Sequence, residues 1–210
     1  MKPLMDRLYS NIADAKAFQL SFTNFVYIYN DMCLDDFVTT VCEECGMAIQ
    51  SKDYMVPRAN CKKDYGILHS LDFGISQKLR DDMIAEFDIT SEDFRPIYSK
   101  SGELVYYQIT PRHTMLPMYK PNRWTPMVPC KRCGTQCFTP YHFENEKEEF
   151  YHIITQEALE EMHDLNVTYE RFGCNMPLVV VSRRVYDFLV ERYPRTHYYP
   201  FFLANEGDDE

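Results

Sequence analysis

The sequence predicts an α+β protein: short, mostly antiparallel sheets, a few amphipathic helices and an interrupted zinc ribbon. Three observations predict it. Aromatic and β-branched runs recur along the chain at strand length. Capped helical patterns stand between them. Two copies of one motif, Cys42-Glu43-Glu44-Cys45-Gly46 and Cys130-Lys131-Arg132-Cys133-Gly134, have 84 residues, 46–129, between their cysteine pairs. A minimal ribbon needs far fewer, so a folded insert is expected between its halves.

The first strand signal is Phe18 to Tyr29, where Phe18, Leu20, Phe22 and then Val26, Ile28 alternate, with a break near Asn24. One or two strands fit it. Residues 35–41 read as a strand entering the first cysteine pair. Residues 51–66 are polar, with Pro57 and Gly66, and read as loop. From Gly74 the period changes to that of a helix: Ser76 can cap it, and Leu79, Met83, Ile84 and Phe87 share one face. Phe94–Tyr98 reads as a strand, 99–102 as a hairpin turn and 103–110 as the returning strand. Five prolines over 111–129 predict extended linker and turns, and the lone Trp124 there is expected to pack.

After the second cysteine pair, 144–149 is a solvated charged segment. Phe150–Ile154 reads as a strand, Thr155 as the cap of a helix carrying Ala158, Leu159 and Met162, and 178–181 as a buried strand. Ser182 can cap a helix with Val185, Phe188 and Leu189, and Tyr198–Leu203 closes as a strand. The acidic tail, 205–210, is expected to fray. These elements divide the chain at residue 140. Residues 1–140 hold the ribbon (42–46 and 130–134) and its helix–strand insert. Residues 141–210 form a strand–helix–strand region, either separate or continuous with the first.

Two stretches can be laid over one another. Ile75-Ser76 opens a helix that leads to Phe94-Arg95-Pro96-Ile97-Tyr98. Val181-Ser182 opens a helix that leads to Tyr198-Tyr199-Pro200-Phe201-Phe202. Phe150 to Glu161 resembles half of the same unit. The reading is one supersecondary unit used more than once. Pro96 and Pro200 predict edge positions, because proline cannot donate to a ladder.

The cysteine runs carry the chemistry. Cys42, Cys45, Cys130 and Cys133 are a full tetrahedral set for a structural zinc. The trailing glycines allow the positive φ that curls backbone N–H groups toward the sulfurs. A lone Cys-x-x-Cys can be a redox pair; two with the same glycine point to one metal site. Cys137 or His142 can stand in for one ligand. Four thiolates leave no position open for water and make the metal a poor Lewis acid, so the expected role is structural and coupled to folding. No phosphate loop, G-x-G-x-x-G, H-E-x-x-H or G-x-S-x-G occurs, and no catalytic residues are assigned.

Net charge is −10, from 22 basic and 32 acidic residues. That argues against a general nucleic-acid binder and fits steering toward a basic partner. No apolar run reaches the roughly 20 residues of a membrane span, and no secretory leader is evident at the N-terminus. Eight cysteines in that setting read as reduced thiols plus a metal site in a cytoplasmic protein.

The two knuckles, together with Val180-Val181-Ser182-Arg183-Arg184-Val185 and the downstream Tyr199-Pro200-Phe201-Phe202, make the chain resemble the double-CxxCG proteins. These are bacterial immunity proteins of polymorphic toxin systems. The resemblance implies a cytosolic, non-catalytic protein that binds and neutralises a cognate toxin. The alternative is a zinc-ribbon nucleic-acid-binding or transcription accessory protein, with Lys131, Arg132, Arg112 and Arg123 as a local basic face. A cysteine- or zinc-dependent enzyme has only the number of cysteines in its favour.

Overall fold

The computed structural model describes residues 4–21, 37–56, 64–69, 72–119, 124–140, 151–172 and 176–204. The second half of the Phe18–Tyr29 signal, the charged segment, the acidic tail, His142 and Arg123 lie outside these residues, as does the side chain of Trp124.

Among the described residues the strands form two larger sheets and one hairpin. The elements of the N-terminal half are α1 (Met5–Leu8), β1 (Ala17–Ser21), β2 (Val38–Cys42), β3 (Met47–Gln50), β4 (Met55–Val56), β5 (Tyr65–His69), β6 (Asp72–Ile75), α2 (Gln77–Glu86), β7 (Phe94–Ser99) and β8 (Leu104–Ile109). They are followed by β9 (His113–Thr114), β10 (Trp124–Pro126), β11 (Cys137–Pro140), β12 (His152–Ile154), α3 (Gln156–Glu160), β13 (Leu165–Phe172), β14 (Met176–Ser182), α4 (Arg183–Arg192) and β15 (His197–Leu203). The eight-stranded sheet runs β10-β11-β13-β14-β1-β15-β12, with β9 beside β13. The five-stranded sheet runs β4-β7-β8-β6-β5, and β2 pairs with β3 alone among the described residues. Most pairings are antiparallel; β11–β13, β9–β13, β12–β15 and β4–β7 are parallel.

The 51–66 loop is corrected in part: it contains β4 and the start of β5. The proline-rich 111–129 also holds two short strands, β9 and β10. A strand at 165–172 has no counterpart among the expected elements. Three successive inward positions are polar, with Asn166, Thr168 and Glu170 buried ahead of Phe172 while Tyr169 is exposed, so hydrophobic alternation does not reveal it.

The predicted repeat exists in three dimensions. Ser76 and Ser182 accept a hydrogen bond from the Leu79 and Val185 backbone N–H at 3.2 and 3.4 Å, satisfying donors that a helix start leaves open. In each unit the strand before the helix and the strand after it flank one antiparallel strand inserted between them. That strand is β8 in the first unit and β1 in the second. The registers coincide. Tyr107 faces Ile75 on one side and Pro96 on the other, as Phe18 faces Val181 and Pro200. Thr155 caps α3 in the same way, through the Ala158 N–H at 3.1 Å.

The prolines are not on edge strands, because β7 and β15 each have neighbours on both sides. The outer neighbour, however, pairs only beyond the proline, from Tyr98 in β7 and from Phe201 in β15. At the proline itself the local requirement for a one-sided ladder is met.

Period two explains the all-apolar run at 178–181. Val179 and Val181 enter one core cluster, and Leu178 and Val180 enter another on the opposite face. The larger cluster joins Phe18, Leu20, Val185, Leu189 and Tyr198 to Ile75, Leu79, Met83 and Phe94. It therefore takes residues from both sides of position 140. Polar links reinforce the junction: Asp64 accepts from Ser76 and Tyr193, and Thr196 donates to Tyr65. A third cluster, Tyr54, Val56, Ile97 and Tyr106, packs Phe37 against the five-stranded sheet immediately before β2.

Candidate metal centre

Each cysteine run forms the tip of a β-hairpin. In the first, the β-branched Val38-Thr39-Thr40-Val41 favours extended backbone and pairs with β3, with a register shift between Thr40 and Cys42. The Gly46 N–H donates to the Cys42 carbonyl at 2.9 Å, and Gly46 takes φ 71°. In the second, β10 and β11 are antiparallel. There the Gly134 N–H donates to the Cys130 carbonyl at 2.8 Å, Cys130 N–H to Thr135 O at 3.1 Å and Met127 N–H to Cys137 O at 2.9 Å. Gly134 has φ 73°. An added Cβ would meet nothing within 4 Å at either glycine, so glycine is required there by backbone conformation and not by space.

The hairpins belong to different parts of the fold. The first follows Phe37, whose carbonyl accepts from Ser51 N–H and Lys52 N–H and whose ring lies 5.3 Å from that of Tyr54. The second continues the eight-stranded sheet through β13. They meet tip to tip.

The Sγ atoms of Cys42, Cys45, Cys130 and Cys133 all lie within 4.8 Å of one another. Cys42 and Cys130 are 3.7 Å apart, and Cys45 and Cys133 3.6 Å. Zinc–sulfur bonds of about 2.3 Å in a tetrahedron place sulfurs about 3.8 Å apart, so the donor set and its spacing fit such an ion. Among the described residues this is the one grouping of three or more metal-ligating side chains. Burial grades across it: Cys42 is buried, Cys45 and Cys130 half-buried and Cys133 exposed.

The thiols do not share one acidity. The side-chain hydroxyl and backbone of Thr135 hold the Cys133 thiol down, to about 6. At Cys45 the Met47 backbone opposes the rise, but desolvation and the neighbouring sulfurs push the thiol up to about 12. Four thiolates in this space need a cation to balance them. Thr135 Oγ1 lies 3.1 Å from both the Cys133 sulfur and Met47 Sδ, so its one hydroxyl proton faces a sulfur of each tip. Neither Thr135 nor Met47 is distinguished by sequence; only adjacency to a knuckle glycine or cysteine marks them.

Cys137 takes no part in the cluster. It is buried on β11 and disulfide-bonded, which corrects both its candidacy as a ligand and the expectation of reduced thiols throughout. Its sulfur is placed by a strand of the eight-stranded sheet, whereas the four clustered sulfurs are placed by the two hairpin tips. Of the basic residues considered for a nucleic-acid face, Arg112 is engaged by Glu92, Asp93 and Thr90. Arg132 lies 3.7 Å from Glu43. Lys131 is exposed.

Among the described residues, the histidines belong to no grouping of three or more metal-ligating side chains. His152 is buried with Nε2 2.8 Å from Gln19 Oε1. His113 and His163 stack at 3.5 Å. No helix among the described residues is long and apolar enough to cross a membrane. No protein-family model, curated protein or solved structure matches this chain.

Proposed function

We propose that the protein is a non-catalytic, protein-binding immunity protein that neutralises a cognate bacterial toxin in the cytoplasm, with a structural zinc closing an interrupted ribbon. The carrying observation is the convergence of Cys42, Cys45, Cys130 and Cys133 within 4.8 Å. Four thiolates fill a tetrahedral ion, leave no position for a substrate or water, and suit a fastener between two hairpins. The binding role rests on the resemblance and on the net charge of −10, which favours a basic partner such as a nuclease toxin. The nucleic-acid alternative draws less support, since Arg112 is held by Glu92 and Asp93 and Arg132 lies near Glu43.

Capture experiments with the full chain in its native host test this reading, together with co-expression against the product of an adjacent toxin-like gene. Recovery of that product and restored growth are expected. A chain that captures no such protein and gives no protection overturns it.

A further inference from the structure

We propose that the sulfur cluster is an oxidation site whose disulfides form between the two Cys-x-x-Cys runs, Cys45 with Cys133 first and Cys42 with Cys130 second, and not within either run. The proposal rests on the same convergence as the reading above but does not require the metal. Both close sulfur contacts cross from one hairpin to the other, at 3.6 Å for Cys45–Cys133 and 3.7 Å for Cys42–Cys130. Within each run, the glycine N–H to cysteine carbonyl bond holds the turn in its present curl.

Exposure sets the order. Cys133 is the one exposed member of the four, Cys45 is half-buried, and Cys42 is 1% exposed. An oxidant arriving from solvent therefore meets Cys133 first, with Cys45 beside it as the resolving thiol.

The oxidant class is a hydroperoxide. The Cys133 thiolate sulfur attacks one oxygen of hydrogen peroxide. The O–O bond breaks, and the departing hydroxide takes a proton to become water, leaving a sulfenic acid on Cys133. The Cys45 sulfur then attacks the sulfenic sulfur; the S–O bond breaks and a second hydroxide leaves as water. Two thiols lose two electrons, and one peroxide gains them. A second peroxide does the same for Cys130 and Cys42. A bound zinc loses its thiolates in this process and departs as the divalent ion. The oxidised chain keeps its tip-to-tip clasp as two covalent links across 88 positions each.

The test is peroxide titration of the full chain, prepared with and without zinc, followed by thiol blocking, unreduced digestion and mass spectrometry. Trypsin cuts after Lys131 and Arg132 and separates Cys130 from Cys133; a glutamate-specific protease separates Cys42 from Cys45. The expected result is early loss of Cys133 alkylation and a Cys45–Cys133 crosslink that precedes Cys42–Cys130. The mass falls by about 2 Da per link, and zinc is released from the loaded protein. Predominant Cys130–Cys133 or Cys42–Cys45 linkage, or Cys133 advancing to sulfinic acid unlinked, overturns the proposal. A preparation that never takes up zinc counts against the metal reading alone, because the linkage pattern is still read.

Discussion

The sulfur of Cys42 lies 3.7 Å from that of Cys130, although 88 positions separate them in the chain. The contact joins a hairpin packed beside the five-stranded sheet to a hairpin that extends the eight-stranded one. Removing a ligand or the ion should therefore loosen the junction of the two bodies. Cys130→Ser should cost several kcal/mol of stability, on the order of structural zinc sites generally, and abolish stoichiometric zinc uptake. Thermal melting with and without a chelator, alongside metal analysis, checks this; unchanged melting in Cys130→Ser would count against a structural ion.

Gly46 and Gly134 sit at φ 71° and 73° with open space where a side chain would go. Gly46→Ala and Gly134→Ala should each lose about 1–2 kcal/mol from the left-handed backbone alone. Asparagine, which tolerates that region better, should lose less at the same positions. Denaturant titration of the four variants is the measurement, and an alanine as stable as the parent would refute the assignment.

His152 is fully buried, and that burial lowers its pKa from 6.5 to about 3. Above about pH 6.5 the ring is neutral in both folded and unfolded chains and adds no pH dependence. As pH falls toward about 3, the unfolded chain binds a proton that the buried ring refuses. Stability should drop by about 3–5 kcal/mol across that window. Unfolding free energies measured from pH 7 to 4 should show a shallower slope for His152→Gln than for the parent.

Glu170 has the opposite sign. It is 3% exposed, and burial raises its carboxyl above the ordinary 4.5 although the Met118 N–H donates to it. Above that pH the unfolded chain releases the proton while the folded chain keeps it, so stability falls as pH rises until the buried group ionises. Glu170→Gln should remove this loss and be the more stable protein at pH 8. Equal pH slopes for parent and variant would rule it out.

Asp164 is 4% exposed and accepts from Arg184, from Ser182 Oγ at 2.7 Å and from the Asp88 N–H at 2.8 Å. One carboxylate thus ties the end of α2 to the cap of α4. Asp164→Ala leaves these donors without their acceptor and should cost about 2 kcal/mol. Asp164→Asn should recover part of it, as denaturant unfolding would show.

The parts of the fold legible from sequence were those governed by local rules. Ser76, Thr155 and Ser182 cap helices because a hydroxyl before an apolar period meets the open N–H groups of a helix start. The hairpin turn at 99–102 follows from Gly102, whose φ is 84°. The strand 165–172 was not legible. Its buried face carries Asn166, Thr168 and Glu170, each satisfied at least in part by backbone: Asn166 by His163 three residues earlier, Thr168 by the Leu178 N–H of the neighbouring strand, Glu170 by the N–H of Met118, 52 positions away. Polar groups buried against backbone leave no hydrophobic period to read.

The candidate site divides in the same way. Composition and spacing alone named its four sulfurs, because ligand chemistry demands two close pairs and a glycine after each. Which sulfurs touch, how exposure grades from Cys42 to Cys133, and that the Thr135 hydroxyl faces a sulfur of each tip were decided in three dimensions. So was the insertion of β8 and β1 between the strands of the two repeated units. Local motifs are written in neighbouring residues, whereas contacts across 88 positions depend on how two separately built sheets come to share one core.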